Sequence, residues 1–532
     1  MDNIELEQYP KKGAEFHAQA VYDGDNGFAV QPEYGKAYNP EYDQRDMDRM
    51  GRKQELKRRF KYFSIAGYVV VLGNTWEFSI VTSAFALANG GTAGAIWTTI
   101  IVCLGMFFVV LSMAEVASMA PTSGGQYHWV SEIAPRGLQK QLSYAVGWMS
   151  MLAWQVSMPS VAYIFAQQIL ALISVCNPGY VIEGWHGALM TIASGIATIT
   201  LSIFVMQKLT LAEGLAVTAH VFGFVAFLAI LWVMGPKAGG YETFFGFEDR
   251  NGWGSLGLAT LVGIIGPVAT FLGGDSAVHL AEELQDASYV LPRAMVSGAA
   301  INYVVGIVGL VSFMFNIGPI DDSLYVYGEQ PWVAVIYRIT GSQAATIVMI
   351  VIVAINFFCL QMNMVMTSSR QLWAFARDKG VPFHTFLAKV EPNGLPRNSV
   401  IVTLVFTGLL SLIIIGSSSA FNVILSFGNA GLYTSYIVIL ICIVCRRFNG
   451  NEFPKTRFDL GRGGLPLNIL ALIYLVVTLV FTFFPAIPNP APAEMNWASL
   501  MFGAILIIAF CWYFARASVE YDGPVQYVRQ DY

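Results

Sequence analysis

Long stretches without a charged residue constrain this 532-residue chain more than any other feature of its sequence. A helix that crosses a bilayer needs about 20 mostly apolar residues, and a charge at its centre costs about 3 kcal/mol or more. Windows without Asp, Glu, Lys or Arg are long enough for such helices along most of the chain from residue 62 onward. Charged residues make up only 12% of the chain, about half the fraction of a soluble domain. We therefore predict an all-α integral membrane protein.

The charge-free windows divide into about twelve predicted transmembrane helices. Their predicted ranges are 65–88, 92–119, 142–174, 185–206, 210–234, 257–280, 295–317, 343–369, 398–416, 421–445, 465–485 and 498–516. The net charge of −5 gives no basic excess for a nucleic acid partner, and six cysteines are too few for a disulfide scaffold. The partner that this composition predicts is the lipid bilayer.

The positions of Lys and Arg predict the orientation of the chain. A basic cluster at residues 52–61 directly precedes the first predicted span, and such clusters stay cytoplasmic. With twelve spans both termini are then cytoplasmic, and of the 30 Lys and Arg residues only Lys237, Arg250 and Arg338 fall in predicted outer segments. Residues 1–61 have few aliphatic side chains and no apolar periodicity, so we expect a disordered cytoplasmic tail.

Two predicted spans carry helix-breaking residues near their centres. The first contains Gly73-Asn74-Thr75-Trp76-Glu77, and the sixth contains Gly266-Pro267 followed by Phe271-Leu272-Gly273-Gly274-Asp275. Glycine also serves close helix packing, but a Gly-Gly-Asp cluster inside a span favours a binding site, where freed backbone groups coordinate a solute. Because the breaks fall in the first and sixth spans, we hypothesise two inverted five-helix repeats, at about 62–234 and 257–445.

Polar and ionisable residues near these breaks are the candidate site residues, because such groups are rare within membranes and usually functional. The candidate substrate-binding residues are Gly73, Asn74, Thr75, Trp76, Glu77, Gln155, Phe271, Gly273, Gly274, Asp275, Asn356 and Gln361. Glu77 and Asp275 are each candidates to meet a cationic amine or to carry a proton. For Glu77, Gln155, Asn356 and Gln361 a hydrogen bond between helices is the alternative.

Four further acidic or histidine residues are candidates for coupling or gating: Glu115, His279, Glu282 and Glu283. A folding role for Glu115 and a solvated helix end for the other three are the alternatives. Glu213 and His220 lie in the fifth predicted span without an assigned role.

The segment Pro121-Thr122-Ser123-Gly124-Gly125-Gln126-Tyr127-His128-Trp129 follows the second predicted span. It resembles the hallmark of the amino acid–polyamine–organocation permeases. Segments 89–91, 275–283, 291–294 and 369–382 resemble the fungal branch of that superfamily, which holds permeases for GABA, choline and amino acids. All five segments occur in order, which makes the resemblance specific.

The resemblance implies inverted five-helix repeats, two extra C-terminal helices, alternating access around a central site and coupling to protons. The corresponding regions are a transport core at 62–445, helices at 446–516 and a cytoplasmic tail at 517–532. One departure concerns the first break, where a Gly-x-Gly segment that holds a substrate carboxylate is replaced by Gly73-Asn74-Thr75-Trp76-Glu77. Trp76 offers an aromatic face to a quaternary ammonium, which favours choline or a similar organocation.

We therefore expect a secondary active transporter for a small nitrogenous solute such as choline, GABA or an amino acid. Sodium coupling through Thr367-Ser368-Ser369 is the alternative to proton symport. A nutrient-sensing receptor of the same fold is the alternative function. The sequence contains neither a His-Glu-x-x-His nor a Gly-x-Ser-x-Gly motif, so no such motif predicts an enzyme. We expect no cofactor or metal site. The resemblance favours the plasma membrane, with a vacuolar membrane second.

Overall fold

The computed structural model describes residues 40–205, 209–320, 327, 330–392, 394–416, 420–450, 453, 456–492, 494–521 and 523–524. Across these ranges the chain is nearly all helical and contains no β-strand, and an isolated bridge joins Phe60 and Leu284. The predicted tail segments 1–39 and 525–532 lie outside the described residues. The prediction of an all-α protein is confirmed.

The helices follow the order of the twelve predicted spans, which we number span one to span twelve. Their bounds are Tyr62–Gly73 with Thr75–Val81 (one), Ser83–Met119 (two), Gln139–Cys176 (three), Gly184–Val205 (four), Leu209–Met234 (five), Leu256–Val262 with Ile265–Phe271 and Ser276–Glu283 (six), Ala287–Met314 (seven), Gln343–Arg377 (eight), Arg397–Gly416 (nine), Ala420–Phe448 (ten), Gly464–Thr482 (eleven) and Ala498–Trp512 (twelve). Among the described residues, ten of these segments, all but spans four and nine, are long and apolar enough to cross a membrane.

Short helices connect several spans. They are Gln126–Ile133, Gly240–Phe245, Pro331–Thr340 and His384–Leu387. The predicted junction between the first two spans is a kink inside Ser83–Met119, where Gly91 takes a φ of 67°. Large apolar side chains face outward from the bundle, including Phe222 at 70% and Ile507 at 65% exposure, which suits a surface in contact with lipid.

Spans one and six lie side by side and run in opposite directions. Tyr62–Gly73 packs against Ser276–Glu283, and Thr75–Val81 packs against Ile265–Phe271. The Arg59 and Phe60 amides, just before span one, both donate to the carbonyl of Glu283 at the end of span six. This antiparallel pairing is what the hypothesis of inverted repeats requires of the two broken spans. We call the side that holds residues 52–61 the inner side.

The segment before span one is ordered, which differs from the expected disordered tail. Pro40–Arg49 is a helix in which Asp43 and Met47 are buried. The Asp43 carboxylate accepts the amides of Asp286 and Ala287, each at 3.0 Å, and pairs with Arg58 at 3.2 Å. The expectation of disorder is therefore wrong for residues 40–61. These contacts join charged groups to the start of span seven, which is distant in the sequence, so apolar periodicity could not predict them.

Candidate functional site

The break in span one is a single residue of left-handed backbone. Helix Tyr62–Gly73 ends at Asn74, whose φ of 46° and ψ of 41° redirect the chain before Thr75–Val81 begins. A Cβ at position 73 would lie 2.1 Å from the side-chain nitrogen of Asn302, so the close approach of span seven requires glycine there. The break predicted at these residues is present.

The break in span six is longer. Ile265–Phe271 ends at Leu272, which is extended, and Gly273 takes a φ of 91° before the 3₁₀ helix Ser276–Glu283. Asp275 directly precedes that second segment. Gly266 and Pro267, which we expected to contribute to the break, lie inside the helix Ile265–Phe271.

Two consecutive residues of span seven support the two breaks. The Asn302 amide donates to the carbonyl of Val69 at 3.0 Å, and the Asn302 carbonyl accepts the Thr75 hydroxyl at 2.6 Å. The Tyr303 hydroxyl donates to the carbonyl of Phe271 at 3.3 Å. These bonds satisfy backbone groups that would cost free energy if they were left unpaired in a membrane.

A cavity of about 50 Å³ lies beside the two breaks. Of the predicted site residues, Gly73 and Gly273 line it, with aromatic rings from Phe78 and Trp154. The remaining lining residues are Leu72, Ser157, Ser160, Val161, Ala269, Thr270, Leu272, Met364, Leu425, Gly428, Asn429 and Leu432. The Trp154 indole N–H and the Asn429 amide nitrogen are buried and have no hydrogen-bond partner within the described chain. Two residues that line the cavity therefore carry buried donors without a partner, beside the backbone of both breaks.

A second cavity of about 190 Å³ lies on the outer side. Spans six and ten line both cavities, with Ile265 and Ser426 in the outer one and Ala269 and Asn429 about one helical turn further inward. The outer cavity also touches the connection between spans eleven and twelve, including Glu494. Spans six and ten are thus the elements that the two cavities share.

Glu77 lies in a polar cluster that faces spans five and eight. Its carboxylate accepts His220 Nδ1 at 2.9 Å and the Asn356 amide at 2.7 Å, and it is fully buried. The Asn74 amide, turned so that its nitrogen faces the carboxylate, donates to both oxygens at 3.0 and 3.1 Å. Trp76 stacks on Phe227 of span five, with ring centroids 5.2 Å apart. None of these side chains lines the 50 Å³ cavity.

Asp275 lies in a second buried cluster, on the inner side of the span-six break. Its carboxylate accepts the Gln126 amide and the Tyr436 hydroxyl, each at 2.5 Å, and His279 Nε2 at 3.3 Å. His279 Nδ1 lies 3.0 Å from the carbonyl of Ser123. The hallmark segment thus contributes two groups to the surroundings of the Asp275–His279 pair, the Gln126 amide and the Ser123 carbonyl.

An ionic network closes the inner side below Asp275. Glu282 accepts two nitrogens of Arg377 at 2.8 and 2.9 Å, and Glu283 accepts Arg370 at 2.8 Å. Arg52, from the segment before span one, pairs with Asp378 at 2.5 Å. Although burial opposes its charge, Arg52 and Arg377 hold the pKa of Asp378 below its usual range. This network covers the predicted gating residues Glu282 and Glu283.

The remaining predicted residues lie elsewhere. Glu115 accepts Arg447 at 2.5 Å and the amide of Leu460 at 3.2 Å, which ties span two to the end of span ten. Gln155 donates to the Ser368 carbonyl, and Gln361 donates to Ser194. Phe271 packs edge-on against Tyr303, and Gly274 adjoins Val110. Both glutamines therefore join neighbouring helices in the way that the alternative described.

Several residues of the site were absent from the sequence-based set. These are Trp154, Asn429, Gln126, Tyr436 and His220. Gln126 belongs to the hallmark segment, so its position there is the signal that was available. Trp154 adjoins the predicted Gln155, but sequence alone does not give the rotation of a helix about its axis. The pairing of His220 with Glu77 joins positions far apart in the chain.

Comparisons with known proteins agree with this architecture. A family model described as amino acid permease matches residues 60–510. A protein of Macrophomina phaseolina, named as a candidate amino acid/polyamine transporter, is 30% identical over 80% of this chain and 96% of its own length. An uncharacterized amino-acid permease of Schizosaccharomyces pombe is 26% identical over 90% of this chain and 86% of its own. The choline transporter of Saccharomyces cerevisiae is 25% identical over 86% of this chain and 82% of its own. The chain belongs to the amino acid permease family, whose members are transporters and not enzymes.

Proposed function

We propose that this protein is a proton-coupled secondary transporter that moves a small nitrogenous solute by alternating access. The observation that carries the proposal is the cavity lined by Gly73 and Gly273 beside two broken, antiparallel spans. A second cavity lies further toward the outer side, and buried ion pairs cover the inner side. A solute site that one side can reach while the other is closed is what alternating access requires.

The chemistry of the cavity favours a cation that also carries a hydrogen-bond acceptor. The carbonyl end of helix Tyr62–Gly73 is the negative end of a helix dipole, and Trp154 and Phe78 supply aromatic faces for a cationic nitrogen. The unpartnered donors on Trp154 and Asn429 suit an oxygen of the same solute. The hydroxyl of choline and the carboxylate of GABA or an amino acid both provide that oxygen. The names of the relatives support the same solute classes.

The cavity has room for a few water molecules but is too small for any of these solutes, because a volume of about 50 Å³ exceeds the roughly 10–15 Å³ that one water needs by only a few-fold. Transport therefore includes a step in which the second half of span one or the first half of span six moves outward. Both halves are short helices joined through non-helical residues, which makes such a movement possible. We place the inner side in the cytoplasm and the protein in the plasma membrane, on the basis of its Lys and Arg distribution and the family resemblance.

Uptake of labelled choline, GABA and several amino acids into a transport-deficient cell tests the proposal. Wild-type protein is expected to accumulate at least one of them, and Trp154→Ala is expected to lose that uptake, whereas Trp185→Ala, at a surface position 46% exposed, keeps it. Binding of a panel solute without uptake would replace the transporter with a nutrient receptor. Uptake that resists a protonophore but needs sodium would replace proton coupling with sodium coupling.

A further inference from the structure

We propose that His220 on span five, paired with Glu77 on span one, is the site that binds and releases the coupling proton. This inference rests on the proposed function as a proton-coupled transporter. It assigns the proton to a pair outside the solute cavity, and it names the atom that gains and loses it, His220 Nε2.

Three side chains surround the Glu77 carboxyl group. His220, Asn356 and Asn74 all offer nitrogen donors to this carboxylate. A carboxylate that accepts hydrogen bonds from all three side chains is ionised, and this is the state that the proposal assigns to Glu77. In that state the hydrogen between the pair lies on His220 Nδ1, and the ring donates the bond of 2.9 Å to Glu77.

The other ring nitrogen is the one that is free to change. His220 is buried, and its Nε2 has no hydrogen-bond partner in the described part of the chain. Trp76 Nε1 and Asn356 Oδ1, on the two residues beside the ring, are also buried and unpartnered among described groups. In this proposal a water molecule that reaches these unpartnered atoms delivers or accepts the proton. Nε2 can take up that proton without breaking the Nδ1 bond to Glu77.

Protonation changes the charge of the pair from −1 to zero. A lone carboxylate buried in a membrane protein is far more costly than a neutral ion pair with hydrogen bonds. The protonated pair therefore tolerates the tight packing in which Trp76 covers it, and loss of the proton favours an arrangement that admits water. The carboxylate is on Thr75–Val81, the same half-helix that places Phe78 in the solute cavity. Movement of that one half-helix links the proton to the solute.

His279, the other histidine paired with an intramembrane carboxylate, lacks this freedom. Its Nδ1 faces the Ser123 carbonyl at 3.0 Å, so Nδ1 carries a hydrogen. Its Nε2 faces Asp275 at 3.3 Å, and the Asp275 carboxylate also accepts Gln126 and Tyr436. Both ring nitrogens are engaged, so a change in the proton content of this pair breaks a bond that holds the span-six break.

Other titratable or charged groups on span five and on the elements packed against it do not replace Glu77. Glu213 accepts the Asn363 amide of span eight at 3.2 Å, Cys359 is a thiol, and Tyr68 bonds Thr367. Tyr303 of span seven bonds the Phe271 carbonyl, Arg338 binds the Ile317 carbonyl, and Arg370 pairs with Glu283. Glu77 is thus the charged partner that the described chain gives to His220.

Full-length protein in sealed liposomes separates coupling from movement of the solute. A gradient of one pH unit supports about tenfold accumulation per coupled proton, because 1.4 kcal/mol corresponds to a factor of ten. His220→Gln keeps an amide that donates to Glu77 but cannot bind a proton. We expect it to exchange labelled for unlabelled choline, or the panel solute that wild type carries, while pH-driven accumulation is lost. His384→Gln, at a site outside the spans, is the matched control and keeps both activities.

Each outcome bears on a different statement. Wild-type liposomes that carry no panel solute would reject the proposed transporter, and wild-type transport without pH-driven accumulation would reject proton coupling. Wild-type accumulation that His220→Gln retains would overturn the assignment of His220 alone. If His220→Gln shows no exchange, the Glu77→Gln variant provides the second test. The inference expects Glu77→Gln to exchange solute without pH-driven accumulation. Accumulation by Glu77→Gln overturns the inference.

Discussion

The two broken spans use similar residues in different surroundings. Each break places a carboxylate after glycine, Glu77 in span one and Asp275 in span six, and each carboxylate meets a histidine. Both clusters include polar atoms that lack partners among the described residues, but only beside Glu77 is one of them a histidine nitrogen, His220 Nε2. Around Asp275 both histidine nitrogens are engaged, and an ionic network lies directly below. The difference indicates that span one carries the changeable hydrogen bonds, whereas span six is held in place in this conformation.

The strongest test of that comparison removes an ion pair below span six. Arg377→Ala leaves Glu282 fully buried without its bidentate partner. Loss of one member of a buried pair costs about 3–5 kcal/mol, so we expect a large fall in the Tm of the purified protein. Arg516→Ala is the control, because its pair with Glu520 is exposed and such pairs contribute about 0–1 kcal/mol. Equal shifts in Tm for the two variants would contradict a network that holds the inner side closed.

The contact between Arg52 and Asp378 should make part of this closure depend on pH. The folded-state pKa of Asp378 lies below its ordinary value of 3.8, so its stabilisation is complete above that pH and disappears as pH falls through the lower folded-state value. Asp378→Asn removes the charge, and hydrogen bonds to charged groups contribute about 1.5–3 kcal/mol. We expect wild type to exceed Asp378→Asn in Tm by a constant amount between about pH 5 and 8, and the difference to shrink below about pH 4. A difference that already shrinks between pH 7 and 5 would show that another group controls this contact.

At the span-one break, the expected effect comes from a steric clash rather than from a lost charge. Gly73→Ala places a Cβ 2.1 Å from the Asn302 side-chain nitrogen, which then has to leave the Val69 carbonyl. Overpacking of this kind costs about 1–3 kcal/mol, and we expect lower solute uptake as well as a lower Tm. Gly503→Ala in span twelve is the matched control, since no heavy atom lies within 4 Å of its added Cβ. Uptake by Gly73→Ala at the wild-type rate would mean that the span-one break is not part of the solute path.

The positions of the spans and of both breaks could be predicted from the sequence because their causes are local. A charge inside lipid is costly wherever it occurs, and Gly73-Asn74 and Gly273-Gly274 favour non-helical backbone by their own geometry. The direction in which a side chain faces depends on how helices pack. Trp76 and Trp154 are both tryptophans near a break, but span five covers Trp76 and leaves Trp154 beside the cavity.

Long-range polar contacts were the other part that the sequence did not reveal. The helix Pro40–Arg49 contains few apolar residues, and its order depends on contacts between Asp43 and the start of span seven. The partner of Glu77 is likewise on another span, and no spacing rule connects it to His220. Two similar glycine-and-carboxylate segments therefore predicted two breaks correctly, while the difference between their surroundings required the folded chain.

The smallest expected effect separates the two breaks through neighbouring residues of span seven. Tyr303→Phe removes the hydroxyl that bonds the Phe271 carbonyl and leaves the Asn302 bonds to span one unchanged. One such hydrogen bond contributes about 0.5–1.5 kcal/mol, so we expect the KM for solute uptake to rise by less than about tenfold. Tyr337→Phe, at a surface position 38% exposed, is the control. Because the span-six break is already held by Gln126, Tyr436 and His279 around Asp275, the loss should shift KM without abolishing uptake. Complete loss of uptake in Tyr303→Phe would mean that span six, and not span one, is the less firmly held of the two.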